Sequence, residues 1–159
     1  MALLIHKKKT GRPPVSLQTA LTGAVATLVP AGVDSPRLDA EVMMADVLGI
    51  SRSRLYTILN EHADAKDLKR FHKLVYKRAR RVPLQYITGH AEFMSLDFLM
   101  KKGILVPRPE TELAVEAVLE RADIKGRLNI LDIGTGCGNI AVSVAVGLRD
   151  AGGLLSVYA

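Results

Sequence analysis

Residues 129–142 read NILDIGTGCGNIAV. An apolar run meets an acid, Asp132, and glycines then fall at the alternate positions Gly134, Gly136 and Gly138. Residues 128–133 are nearly all apolar, the pattern of a short strand buried on both faces of a parallel sheet. A helix of roughly residues 138–149 is expected next, and LLSVYA, residues 154–159, begins another strand. The stretch predicts a β-loop-α-β unit with its glycines where strand turns into helix.

Such a loop usually holds a nucleotide-like ligand, because glycines let the backbone touch it where side chains would block the approach. The dinucleotide fingerprint G-x-G-x-x-G would need its third glycine at position 139. That position is Asn139, which weakens the nicotinamide reading without removing it. No Lys follows the glycines, so the phosphate P-loop is excluded. Asp132 adds a charge that a pyrophosphate would meet badly, whereas a sulfonium and an α-amino group would be welcome beside it. Acid and spacing together favour S-adenosylmethionine over a dinucleotide. The bland alternative is a tight strand-to-helix turn with no ligand.

Upstream, the pattern changes twice. Ser16 caps a helix whose apolar side is Leu17, Leu21, Ala24, Val25 and Leu28, stopped by Pro30 and Gly32. Ser35-Pro36 restarts a helix with Leu38, Val42, Ala45 and Leu48 as its expected buried side, ended by Gly49. Ser51 caps a short third helix, and Asp64 opens a fourth with Leu68, Phe71, Leu74, Val75 and Ala79 as its stripe, closed by Pro83. Short helices with short links predict a small bundle over residues 16–82, behind a basic tail at 1–15. A helix-turn-helix DNA reader ranks below it, since no helix joins a basic face to the tight glycine turn of that motif. Lys73, Lys77, Arg78, Arg80 and Arg81 end the fourth helix. They read first as cations favoured at a helix C-terminus, and second as a patch facing RNA or an acidic partner.

From Pro83 to Pro107 the apolar stretches around Lys101-Lys102-Gly103 predict a hairpin linker over 83–107. Pro107 and Pro109 then bracket Arg108. ETELAVEAVLERA, residues 110–122, is an amphipathic helix with Leu113, Val115, Val118 and Leu119 as its apolar positions and Gly126 beyond its end.

Bulk properties set limits on these readings. With 159 residues, 48% hydrophobic and 24% charged, the chain has room for a sizeable core. A net charge of +6 suits an acidic partner such as RNA, though only 4% aromatics and no Trp weaken base stacking. Cys137 is the single cysteine, which fits a reducing compartment. No apolar run approaches a membrane span, and the start MALLIHKKKTGRPP lacks the h-region of a signal peptide. The expectation is a soluble cytoplasmic protein with no membrane association and with direct nucleic-acid binding left open. His6, His62, His72 and His90 are dispersed, without metal-ligand spacing.

Four stretches carry a resemblance: SPRLDAEVMMADVLGI, VPLQYITGHAEF, ILVPRPETELAVE and ILDIGTGCGNIAVSVA. They resemble, in order, successive signatures of the HemK/PrmC family, over about residues 16–159. G-x-G-x-G is common to many methyltransferases; PRPETE ahead of it is far more specific. The resemblance implies an α/β protein: an N-terminal helical bundle, a β-hairpin linker and, over residues 108–159, the start of a class I (Rossmann-like) methyltransferase domain. It implies methyl transfer from S-adenosylmethionine to the glutamine side-chain amide in the Gly-Gly-Gln loop of peptide chain release factors. It implies that Asp132, Gly134, Thr135, Gly136, Cys137 and Gly138 lie along the cofactor, with Arg108 and Thr111 near the same pocket.

The resemblance also marks what these residues lack. The family's Asn-Pro-Pro-Tyr motif, which grips the glutamine amide, is absent from the sequence. The acid expected roughly twenty residues beyond the glycines would fall at or past Ala159. The chain is therefore expected to be a fragment or a truncated frame, an incomplete domain without a nameable catalytic residue or turnover of its own. Two other readings stand beside it: a non-enzymatic binding module built on the bundle, and a class I methyltransferase acting on RNA or DNA.

Overall fold

Ser16 begins the first helix as its residue type predicts: the side-chain oxygen accepts the Thr19 N–H at 3.2 Å. The computed structural model describes residues 15–123 and 127–159. Apart from Val15, the basic tail lies outside the described residues, as does Gly126. The chain folds as two compact units that divide in sequence between Ile87 and Thr88.

The first unit holds helices α1 (Leu17–Leu28), α2 (Pro36–Leu48), α3 (Arg52–Thr57) and α4 (Ala65–Ala79), with a short α5 (Leu84–Thr88) at its end. Gly49 ends α2 in the left-handed conformation, and Ser51 caps α3 by accepting the Arg54 N–H at 3.2 Å. Leu21, Leu28, Met43, Met44, Leu55 and Phe71 are wholly buried in one cluster. Burying each contributes about 1.5–3 kcal/mol relative to exposure.

The buried side of α2 is not the one its spacing suggested. Leu38 is exposed and Val42 and Leu48 half-buried, while Ala40, Met43, Met44 and Val47 join Ala45 in the core. Two acids, Asp39 and Glu41, are buried with them. The helix packs against α1, α3 and α4, so it is covered on several sides and no single apolar stripe describes it. Its carboxylates are held by ion pairs: Asp39 to Arg78 at 2.6 Å, and Glu41 to Arg37 at 2.5 Å and Arg52 at 3.0 Å.

These pairs divide the basic end of α4. Arg78 also donates to the Val82 carbonyl at 3.1 Å, and Arg81 donates to the Gly32 carbonyl. Both are bonded into the fold, Arg81 while still exposed; Lys73, Lys77 and Arg80 are exposed too, with Arg80 5.7 Å over the Tyr76 ring.

The second unit opens with an antiparallel hairpin, β1 (His90–Phe93) and β2 (Leu96–Leu99). Its turn is Met94-Ser95, with φ of 50° and 59°, and not the lysine-glycine segment at 101–103. Two successive positive φ values define a type I′ turn, for which Asn-Gly is the usual signal. Met-Ser carries no such signal. The Glu112 carboxylate holds the turn by accepting the Met94 N–H at 2.7 Å, and Phe93 meets Phe98 edge-on across the strands.

A single 3₁₀ turn (Pro109–Thr111) leads into α6 (Glu112–Arg121). Val115 is the residue of α6 that is fully buried, and Leu113 and Val118 are exposed. Then come β3 (Arg127–Leu131), α7 (Asn139–Asp150) and β4 (Leu154–Tyr158), the two strands parallel with Arg127 opposite Leu154 and Leu131 opposite Tyr158. The strand-loop-helix-strand order is as the glycine stretch predicts. Its burial is not: β3 alternates between exposed and half-buried, because among the described residues it pairs with β4 alone. No described helix is long and apolar enough to cross a membrane.

Candidate functional site

The glycine loop begins where β3 ends. The Asp132 N–H donates to the Tyr158 carbonyl at 2.8 Å, so the parallel ladder runs one residue past the strand and fixes the acid at its end. Gly134, Gly136 and Gly138 all have positive φ, at 79°, 61° and 82°. The loop closes through the Gly138 N–H to the Thr135 carbonyl at 2.8 Å, and α7 starts with the Val142 N–H to the Gly138 carbonyl at 2.9 Å.

A Cβ placed on Gly134 would meet nothing within 4 Å, and one on Gly136 would meet only the Gly134 carbonyl at 4.0 Å. Internal packing therefore does not demand these glycines. The left-handed backbone does, and their bareness leaves the loop open to close approach. Two polar atoms at this loop, Asp132 Oδ2 and Thr135 Oγ1, are buried with no hydrogen-bond partner. An unsatisfied buried carboxylate oxygen is costly. A cationic or hydrogen-bond-donating group against it would remove that cost, and a pyrophosphate would raise it. The residues present therefore fit the sulfonium and ammonium end of S-adenosylmethionine. Cys137 lies in the loop with its thiol 3.5 Å from Asn139 Oδ1.

Asp132, Gly134, Thr135, Gly136, Cys137 and Gly138 thus share one loop. Arg108 and Thr111 sit on the 3₁₀ turn, joined by the Thr111 N–H to the Arg108 carbonyl at 3.0 Å, with Arg108 exposed and Thr111 half-buried. Among the described residues no hydrogen bond or ion pair links that turn to the glycine loop. Glu112 is the residue whose role the sequence did not announce: its partner Met94 is 18 positions away, beyond any local pattern. The described residues contain no group of three or more His, Cys, Asp or Glu able to hold a metal ion.

The chain combines a helical unit with a parallel strand-glycine loop-helix-strand unit, an arrangement that comparison with known proteins narrows. Residues 19–89 match the family model of the PrmC N-terminal domain. Release factor glutamine methyltransferase of Moorella thermoacetica is 46% identical over 131 residues, covering 82% of this chain and 46% of that protein. Those of Koribacter versatilis and Mycolicibacterium smegmatis are each 40% identical, covering 82% and 81% of this chain and 47% and 45% of theirs. Over these residues the chain belongs to the HemK/PrmC family of methyltransferases. It spans somewhat under half the length of the relatives it matches.

Proposed function

We propose that these residues are the N-terminal part of an S-adenosylmethionine-dependent methyltransferase of the glutamine amide in the Gly-Gly-Gln loop of release factors. On this reading residues 16–82 are the helical domain, 83–107 the hairpin linker and 108–159 the beginning of a Rossmann-like cofactor domain, working in the cytoplasm. The observation that carries the reading is the bare, left-handed glycine loop with the unpartnered Asp132 and Thr135 oxygens, in a chain whose relatives are named for this activity.

When bound, the cofactor supplies an electrophilic methyl group. Asp132 pairs with its cationic end, Thr135 offers a hydroxyl, and the three glycines admit it to the backbone. Gly138 and Cys137 carry the loop into α7. The 3₁₀ turn, with Arg108 and Thr111, borders the same pocket and is held through Glu112 to the hairpin. Methyl transfer is a displacement whose protein contribution is chiefly positioning. Residues 129–142 orient the cofactor; the clamp for the amide, Asn-Pro-Pro-Tyr in the family, is not among the 159 residues. A polypeptide of these residues alone is therefore expected not to turn over.

The test is a chimera in which residues 16–159 replace the matching segment of the Moorella relative. With labelled S-adenosylmethionine and a release factor, the chimera should methylate the Gly-Gly-Gln glutamine, and Asp132→Ala should abolish detectable cofactor binding. Undiminished binding by the folded Asp132→Ala chimera would overturn the assignment of the loop. Methylation by the 159-residue chain alone would overturn the account of the missing clamp.

A further inference from the structure

Charge divides between the two units. Residues 15–87 contain 11 Lys and Arg against 7 Asp and Glu, whereas residues 88–159 contain 7 against 9. The helical unit is a net cation and the glycine-loop unit a net anion. One helix in each unit carries that sign along an exposed row, α4 in the first and α6 in the second.

On α4 two neighbouring rows run along the helix. Leu68, His72 and Tyr76 form one, and Lys69, Lys73 and Lys77 the other. Each repeats every fourth residue, a rise of about 6 Å per step. The three lysines are exposed and make no ion pair among the described residues. Both rows line an open groove of about 1120 Å³. Val15, Ala63, Ala65 and Leu68 make its lining mainly apolar, and Asp64 is the acid among them. The lysine stems add apolar length beneath their charged ends. Arg80 lies 5.7 Å over the Tyr76 ring, which steadies that side chain as part of the wall.

An occupant of this groove needs apolar anchors with a line of acids beside them. Its backbone must also be satisfied. The described residues of the helical unit hold no strand, only the single Ser16–His62 bridge, so an extended peptide would find no ladder to join. A helix carries its own hydrogen bonds. It also repeats at the same 6 Å or so per four residues, which keeps its acids in step with the lysine row.

The chain itself contains such a helix. On α6, Leu113 and Ala117 lie four residues apart on one row, and Glu116 and Glu120 four apart on the next. Leu113 is 67% exposed. Both glutamates are exposed and make no ion pair among the described residues. Val115 is buried two positions after Leu113, about 200° round the helix, so Leu113 faces outward. Glu112, which begins the acid row, is already bonded to the Met94 N–H.

We propose that α6 of one copy of this chain docks in the groove along α4 of a second copy. Leu113 enters the apolar lining, Ala117 allows close approach, and Glu116 and Glu120 face the lysine row. The contact is heterologous, joining different surfaces of the two copies. One pair of short helices buries less than the roughly 1,200–2,000 Å² of a stable interface, so the association is transient. Its charged part weakens with salt. The docking uses no residue assigned to the cofactor loop and stands whether or not the methyl-transfer reading holds.

The experiment is sedimentation velocity of the full 159-residue chain over roughly 10–500 µM, a range suited to a transient contact. The sedimentation coefficient of the parent should rise with concentration, and the rise should shrink as salt increases from about 0.05 M to about 0.5 M. Lys69→Glu/Lys73→Glu/Lys77→Glu should stay monomeric, because both helices are then acidic. Glu116→Lys/Glu120→Lys should stay monomeric, because both are then basic. An equimolar mixture of these two variants restores opposite signs at both contacts and should associate like the parent. Leu113→Ser should weaken association about ten-fold or more, the loss expected when a leucine is no longer buried. Lys101→Glu/Lys102→Glu, away from both helices, should behave as the parent. Circular dichroism of each variant should match the parent, since every substituted side chain is exposed. A parent that is monomeric throughout, or a mixture that fails to associate, would overturn the proposal. So would association that survives in both charge variants, which would place the contact elsewhere, at the open edges of β3 and β4.

Discussion

Removing both arginines from the buried Glu41 should reverse the pH dependence of that carboxyl. Glu41 is 2% exposed, while Arg37 and Arg52 are 42% and 45% exposed, at 2.5 Å and 3.0 Å from its two oxygens. Burial pushes the carboxyl up, but hydrogen bonds from Tyr56, Arg37 and Arg52 together outweigh burial and hold it below its ordinary value of 4.5. A depressed acid stabilises the fold above its unfolded value and loses that contribution as pH falls through its folded value. In Arg37→Ala/Arg52→Ala, burial is opposed by Tyr56 alone, and the carboxyl moves up. Its contribution then runs the other way: intact in acid, lost as pH rises towards 7. Stranding a buried charge costs about 3–5 kcal/mol. Both guanidinium groups are nearly half solvated, which weakens each pair and brings the cost at pH 7 to about 2–3 kcal/mol. With a urea dependence near 1 kcal/mol/M, the low end for small proteins, the midpoint should fall by about 2–3 M. At pH 4 the deficit should shrink to less than half. Glu41→Gln strands no charge and should cost less than the double arginine variant at pH 7. Urea denaturation of all three chains at both pH values, followed by the helical signal, decides it. An equal deficit at pH 4 and pH 7 would refute the reasoning, because the stranded carboxylate could not then be its source.

Other outcomes follow from single observations. In hydrogen exchange followed by mass spectrometry, residues 36–80 should be better protected than 128–158, since β3 pairs with one strand and is half open; equal protection would show that the second unit has found further cover. Leu55→Ala should cost about 2–5 kcal/mol in thermal or urea melts, because it is the one fully buried residue of the six in α3, a helix too short to stand alone. A Cβ on Gly147 would lie 2.8 Å from Leu119 Cδ2; Gly147→Ala gains about 1 kcal/mol of helix propensity against a shift of that flexible side chain. It should therefore melt close to the parent, while Gly147→Val should lose about 1–3 kcal/mol. In the Moorella chimera, S-adenosylmethionine should slow alkylation of Cys137; an unchanged rate would place the cofactor away from the loop.

The elements that sequence revealed are those set by neighbouring residues. Ser16 and Ser51 cap, Gly49 ends a helix, and the glycines of 134–138 take positive φ, because each effect reaches no further than one turn of chain. The hairpin turn and the end of α4 were hidden for the same reason. Met94, Ser95 and Arg81 adopt left-handed φ without being Gly or Asn. What holds them is remote: Glu112 reaches Met94 over 18 residues, and Arg81 reaches Gly32 over 49. A local pattern cannot encode a partner of that separation. The glycine loop itself was legible in the sequence, yet the orphaned oxygens of Asp132 and Thr135, on which the proposed cofactor site rests, are a property of packing.

The same division explains the misjudged side of α2 and the basic end of α4. Asp39 and Glu41 read as solvent-facing when charge alone is considered, and Leu38 and Leu48 read as core. Arg78 is 15% exposed and bonded to Asp39, so burying the acid on one helix required a cation from another, 39 positions on. With Asp39 taken by Arg78, Arg70 and Arg81 meet carbonyl oxygens instead, those of Val47 and Gly32. The inward-bonded positions are arginines, whose planar fork can satisfy carboxylate and carbonyl together, as Arg78 does with Asp39 and Val82. Lysine takes the outward ones, where a strongly hydrated charge is stable without a fixed partner. The run of cations at the end of α4 is therefore two structures written in one stretch of sequence. Arg78 and Arg81 close the helical unit, while exposed Arg80 lies over the Tyr76 ring and the lysines, continuing back to Lys69, leave a charged ridge with no ion pair among the described residues.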